Sequence, residues 1–167
     1  MKKLNGFSIT ELMVIISIIT GLIIVTAPSF YGIFKSQFLI YNSHQLIQNI
    51  RSIQSNAFIE HTFYKIGFNS ETNTYALWKA TPTDWQSESS FSFDQNITLE
   101  YNQNLSDTSH IMYGPNGFAY TCNASSTAND CSTLNNSAKL TLKTEKKDII
   151  IEFLPINGFV STNISVK

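Results

Sequence analysis

The stretch MKKLNGFSITELMVIISIITGLIIVTAPSF (residues 1–30) decides how the whole chain is read. From Phe7 to Ala27 every residue except Glu11 is apolar, or small and uncharged. Twenty-one residues in a helix cover roughly 30 Å, the hydrocarbon thickness of a bilayer. Lys2 and Lys3 precede the run and nothing acidic occurs among the first ten residues. The positive flank stays cytoplasmic, which sends the carboxy-terminal part across. Glu11 is the anomaly, because an acidic side chain at mid-membrane costs about 2.5 to 3.5 kcal/mol even on the mildest insertion scales.

Two ordinary readings compete for this segment. A cleaved secretory signal finds a small-residue site at Val25-Thr26-Ala27, but the residue after the cut would be Pro28 and a charge would lie inside the apolar region. A plain signal anchor accounts for the span and leaves Glu11 unexplained.

After Pro28 the pattern turns amphipathic. Leu39, Leu46, Ile50, Ile53 and Ala57 recur at helical spacing, with Gln45, Gln48, Asn49, Arg51, Ser52 and Gln54 between them. The spacing predicts one long helix, apolar all round over residues 7–28 and apolar on one stripe over 29–60, ending between Phe58 and Thr62. Pro28 removes a backbone donor and predicts a kink, while Gly21 and Gly32 weaken the helix on either side.

Beyond His61 the helical period is lost, and residues 61–167 read as an exported β-rich domain. Strands are expected at Phe63–Phe68, Thr74–Trp78, Ile97–Tyr101, Gly117–Thr121, Ala138–Lys143, Ile149–Phe153 and Gly158–Ser161. Asn69–Asn73 and Thr144–Lys147 read as hairpin turns, and Thr81–Ser92 as a loop. Leu140 and Leu142 alternate with Lys139, Thr141 and Lys143, as in a strand with one wet face. The expected fold class is α+β, a long amino-terminal helix packed on a mainly antiparallel sheet or sandwich.

The 167 residues carry a formal net charge of -1. From Ser29 onward there are nine Lys or Arg against eleven Asp or Glu, so the water-facing part lacks the basic excess of a typical nucleic-acid binder. The two cysteines, Cys122 and Cys131, fit no zinc spacing. In an exported loop they are expected to form a disulfide, stabilising by roughly 2 to 3 kcal/mol; the alternative is two unlinked thiols.

Gly6-Phe7-Ser8-Ile9-Thr10-Glu11-Leu12 resembles the junction of the type IV pilin and pseudopilin superfamily. The shared pattern is a short basic leader ending in Gly, then Phe, a Glu at the fifth residue after the cut, an apolar helix, and a proline where Pro28 stands. It covers roughly the first third of the chain. The rest is similar to minor subunits of the type II secretion pseudopilin H and pilus minor pilin T kind, and to their counterpart in competence pili. The carriers of this second likeness are Leu46–Ala57 running into a hairpin, and the order of Tyr113-Gly114-Pro115-Asn116-Gly117, a hairpin, then Ile149–Phe153 and Gly158.

The resemblance implies that residues 1–6 are a leader, cut between Gly6 and Phe7 by a membrane prepilin peptidase that also N-methylates Phe7. It implies that Glu11 meets the Phe7 amine of a neighbouring subunit as helices bundle. The implied partners are other pilin or pseudopilin subunits, the inner-membrane assembly platform, and the cytoplasmic membrane before assembly, with the carboxy-terminal domain outside. No cofactor is implied. Physics supports the pairing: breaking a buried ion pair costs on the order of 3 to 5 kcal/mol, so a carboxylate whose partner comes only from a processed, correctly placed neighbour rewards correct stacking. The competing account has Glu11 snorkelling to the headgroups, in which case a Gln would serve as well.

Catalytic chemistry has little to stand on. His44, His61 and His110 are scattered, no H-E-x-x-H, G-x-S-x-G or phosphate loop occurs, and Asp84, Glu88 and Asp94 lie where a solvated face is expected. Asn129 and Asp130 offer oxygen ligands without the spacing of a calcium loop. Lys139, Lys143, Lys146 and Lys147 cluster on one hairpin and make a candidate DNA contact, interrupted by Glu145 and Asp148. The plainer account is a charged turn that keeps an edge hairpin soluble.

Overall fold

The structure is a computed structural model that describes residues 8–102, 105, 109–123, 131–134, 136–154 and 160–166, with the backbone alone at 28, 29, 31, 32, 109 and 166. The chain divides into two compact units, Met1–Lys35 and Ser36–Lys167. A single helix, α1 (Ile9–Ile59), contributes to both. Its assignment runs unbroken through Pro28, and it stops at Ile59, inside the interval the sequence predicts.

In the first unit, Ile9–Ala27 is long and apolar enough to cross a membrane, with mean hydropathy 2.4 and none of it buried. In the second unit the stripe read from the sequence is the buried face: Leu39, Leu46, Ile50 and Ala57 are fully buried and Ile53 nearly so. Ser43 fills the gap in that stripe, and its Oγ is satisfied by donating to the Ile40 carbonyl at 2.7 Å. The end of α1 is tied to the sheet by Glu60, which pairs with Lys79 and accepts from Tyr64 Oη at 2.9 Å.

Two antiparallel sheets supply the rest of the core. The first has the order β3-β2-β1-β5-β6-β7, with β1 Tyr64–Asn69, β2 Thr74–Ala80, β3 Trp85–Ser92, β5 Ser109–Tyr113, β6 Ala119–Asn123 and β7 Ser132–Thr133. The second has the order β10-β9-β8-β4, with β4 Thr98–Tyr101, β8 Ala138–Lys143, β9 Lys147–Phe153 and β10 Val160–Val166. Alternate residues of each sheet enter one apolar cluster with the helix stripe, among them Ile66, Phe68 and Ile111 from the first and Leu140, Ile151 and Phe153 from the second. Both expected hairpin turns are present. Asn73 turns the first at φ 54° with the Thr72 amide held by Asn69 Oδ1, and Thr144 closes the second through the Lys147 carbonyl and amide.

Four strands depart from the sequence reading, one of them the two-residue β7, Ser132–Thr133, too short to show a pattern. The Thr81–Ser92 loop is corrected: eight of its residues are β3, paired along β2 with Phe91 stacked on Tyr75 at 5.0 Å. An edge strand needs backbone bonds on one side only, so Ser, Gln and Glu suffice at its exposed positions and two aromatics anchor it. The interior strand β5 was not expected, because SHIMY places a histidine where an apolar residue would signal a strand. The last strand starts at Val160 and runs on to Val166, five residues past the expected end.

Candidate functional site

The head of α1 is closed by its own side chains. Ser8 sits at the cap, and its carbonyl accepts the first helical bond from the Leu12 amide at 3.1 Å. Ser8 Oγ lies 3.3 Å from the Thr10 amide, and the Ser8 amide in turn donates to Glu11 Oε2 at 2.9 Å. This is a reciprocal capping box: Ser-x-x-Glu occupies the N-cap and third helical positions and serves donors that the helix leaves without partners. The carboxylate also lies at the positive end of the helix dipole. The signal is legible in Ser8-Ile9-Thr10-Glu11, and it adds an intrahelical bond to the two roles the sequence suggests for Glu11, pairing with a neighbouring amine or reaching the headgroups. Among the described residues, the other carboxylate oxygen has no hydrogen-bond partner.

Along the apolar segment the few polar side chains turn inward. Ser17, Thr20 and Thr26 donate to the carbonyls of Met13, Ile16 and Leu22, four residues back. Hydrocarbon leaves no other partner for such hydroxyls, so the segment suits lipid or packed helices equally. Val14, Ile18, Leu22 and Val25 are all more than half exposed in the isolated chain, a continuous apolar surface of the kind that marks a membrane or partner contact. Gly6 and Phe7, the expected cleavage and methylation site, lie outside the described residues.

The lysine hairpin is an acid–base mosaic. The even spacing of Lys139 and Lys143 does place both on the outward face of β8, opposite the buried Leu140 and Leu142. Lys139 Nζ lies 3.4 Å from Glu152 Oε1, and Lys143 pairs with Glu100. Glu152 is held below the usual carboxylate range, first by Ser137 and then by Lys139. Lys146 lies in the turn, and Lys147 opens β9 on the parity of the inward Ile149. A phosphate backbone would have to displace carboxylates from two of the four lysines.

A second side-chain cluster, absent from the sequence reading, covers the outward face of the first sheet. Gly67 stands between Ala76 and His110, and the imidazole lies over it: a Cβ at Gly67 would fall 2.4 Å from His110 Nε2. The ring stacks on Trp78 at 4.9 Å and 10°. Lys65, only 4% exposed, holds its ammonium 4.3 Å from the Trp85 ring centre and 5.4 Å from that of Trp78. Burial pushes His110 down to about 4, helped by the Lys65 charge, and burial also lowers Lys65 against the pull of Asp84. Among the described residues His110 Nδ1 is buried without a hydrogen-bond partner, beside a hollow of about 430 Å³ that Lys65, Trp78 and His110 help to line. Next to it the Cys122–Cys131 disulfide joins β6 to the approach to β7, with Met112 Sδ 3.9 Å from both sulfurs. The available signal was a glycine inside a strand, which marks a close approach by another group; the common face of Lys65, Trp78 and His110 follows only from the strand register.

Among the described residues no three His, Cys, Asp or Glu side chains gather as a metal site requires; Asn129 and Asp130 lie outside them. Asp84, Glu88 and Asp94 do not converge on a cleft: Glu88 is exposed on β3, while Asp84 and Asp94 hold the turns at either end of that strand.

No protein-family profile matches the chain, and no curated protein sequence matches it either. Among solved structures it is similar to the minor pseudopilin EpsH from the type 2 secretion system of Vibrio cholerae. The TM-score is 0.53 and the identity 8%, over 74% of this chain and 94% of that one. The likeness establishes the architecture as a pilin-like α+β fold.

Proposed function

We propose that the chain is a minor pilin or pseudopilin, processed by prepilin peptidase at Gly6–Phe7. It is then assembled through α1 into a filament of the type IV pilus, type II secretion or competence kind. The observation that carries this reading is a single carboxylate at the head of the otherwise uncharged, unburied apolar segment Ile9–Ala27 of α1, on a chain with a pilin-like fold. In the membrane one Glu11 oxygen stays on the Ser8 amide, and the other accepts from the methylated Phe7 amine of the next subunit. Hydrogen-bonding both oxygens makes a buried charge tolerable, whereas removing its partner leaves it exposed to the full desolvation penalty. The lipid-covered surface of residues 9–27 is exchanged for neighbouring helices, and the β domain supplies contacts outside.

Mass spectrometry of the chain from wild-type and peptidase-deficient cells tests the first step. Wild-type protein should lack the six residues Met1–Gly6 and carry a methyl group on Phe7, while the deficient strain retains all six. Intact Met1 on wild-type filament-associated protein would refute the proposal.

A further inference from the structure

The four outer strands of the two sheets are not alike. β7 is two residues long; β4 is four and carries Glu100 beside Lys143; β3 carries Glu88 and a bulge opposite Leu77/Trp78. Each bears one of the devices by which proteins keep edges from pairing: shortness, charge or a bulge. β10, VSTNISV, has none of them. It is seven residues long, uncharged and free of proline, and it pairs with β9 in unbroken register from Val160–Phe153 to Val166–Lys147. Among the described residues no strand pairs with its other side. Thr162, Asn163, Ile164 and Ser165 are exposed on both of its faces, with Ile164 at 60%.

The strand also reads nearly the same in both directions about Asn163. Val160 mirrors Val166, Ser161 mirrors Ser165, and Thr162 mirrors Ile164, both β-branched. We infer that β10 is a self-pairing edge: two copies of the chain join antiparallel along Val160–Val166, centred on Asn163, and merge two four-stranded sheets into one. A two-fold interface requires one surface to be complementary to itself, and a near-palindromic strand meets that condition. Val160 then faces the partner's Val166, Ser161 the partner's Ser165, Thr162 the partner's Ile164, and Asn163 the partner's Asn163. Val160, Thr162 and Ile164 share the face of Phe153, Ile151 and Ile149, so the pairing extends the apolar side of the sheet and covers Ile164. Sliding the register by two shortens the overlap and sets Ser161 against the partner's Asn163. Sliding it by one opposes apolar and polar faces, which the period of a strand forbids.

The test is cysteine cross-linking of the full chain in membranes, read on non-reducing gels. Asn163→Cys alone should give a reducible dimer, because the position meets itself. Thr162→Cys alone should not, while cells expressing Thr162→Cys and Ile164→Cys chains together should. Ser161→Lys with Ser165→Lys, both outward-facing, should reduce the Asn163→Cys dimer at least tenfold by opposing like charges. A co-expressed chain carrying Ser161→Glu and Ser165→Glu should restore it. Equal cross-linking at 162 and 163 would mean random collision and overturn the inference. So would an Asn163→Cys product containing a different protein, which would assign the edge to another subunit, or no product at all.

Discussion

Glu11 carries two duties, and two substitutions separate them. A glutamine at the third helical position can still accept from the Ser8 amide, so Glu11→Gln keeps the capping box and removes only the charge. Glu11→Ala removes both. The expected outcome is that Glu11→Gln is cleaved normally but enters filaments far less than wild type, while Glu11→Ala also frays the head of α1. Immunoblotting of sheared filaments against the membrane fraction reads the first effect. Amide exchange at Thr10–Leu12 in detergent reads the second. If Glu11→Gln assembles as wild type does, the snorkelling account stands. On the other unit, His110 makes stability depend on pH. Its folded value of about 4 lies below the value near 6.5 of an exposed imidazole, so between the two the unfolded chain binds a proton that the folded chain refuses. That contribution is complete above about pH 6.5 and is lost as pH falls toward 4, by about 3 kcal/mol at full extent. Urea unfolding between pH 7 and 4.5 should show the decline, and His110→Phe should flatten it while keeping a ring on Trp78. Gly67→Ala should cost about 1 to 3 kcal/mol, because the imidazole must leave its seat over Gly67.

At the scale of elements, α1 was legible almost to its last residue, since a long apolar run followed by a stripe at helical spacing admits one reading. The same regularity says which of its leucines hold the domain together. Leu46→Ala should lower the unfolding free energy by about 2 to 5 kcal/mol, as expected for a fully buried leucine. Leu22→Ala, on a side chain 61% exposed, should leave unfolding of the β domain unchanged. Strands of the sheet interior such as β1 and β8 were legible by alternation. β3 was not, because an edge strand borrows its stability from the backbone of β2 and its side chains carry little pattern. β10 was half legible: its start falls near Gly158, but Thr162–Val166 alternates polar with β-branched residues and has little core contact of its own. The capping box has its spacing in Ser8-x-x-Glu11, but inside an apolar run a carboxylate signals its charge first, and the bond from the Ser8 amide becomes visible only with the geometry of the helix head.

For the molecule as a whole, sequence patterning divides the chain after residue 28 and after residue 60, by hydropathy and by period. The structure divides it at Lys35, because the first core side chain of the stripe is Leu39. What a single sequence does not display is long-range company: the register that brings Lys65, Trp78, Trp85 and His110 together is set by four strands, β1, β2, β3 and β5, spread over about fifty residues of chain. The division makes a physical prediction. All the side chains of the apolar cluster, from Leu39 to Phe153, belong to the second unit, and so does the disulfide. The exposed apolar surface of Ile9–Val25 belongs to the first. A chain beginning at Ser36 should therefore stay in solution without detergent, unfold cooperatively, and lose about 2 to 3 kcal/mol when Cys122–Cys131 is reduced. The full chain should need detergent or lipid, and should unfold with the same midpoint for the β domain. Calorimetry of both, with and without reductant, checks each part. A truncated chain that melts without cooperativity would mean that residues 1–35 are needed to complete the core.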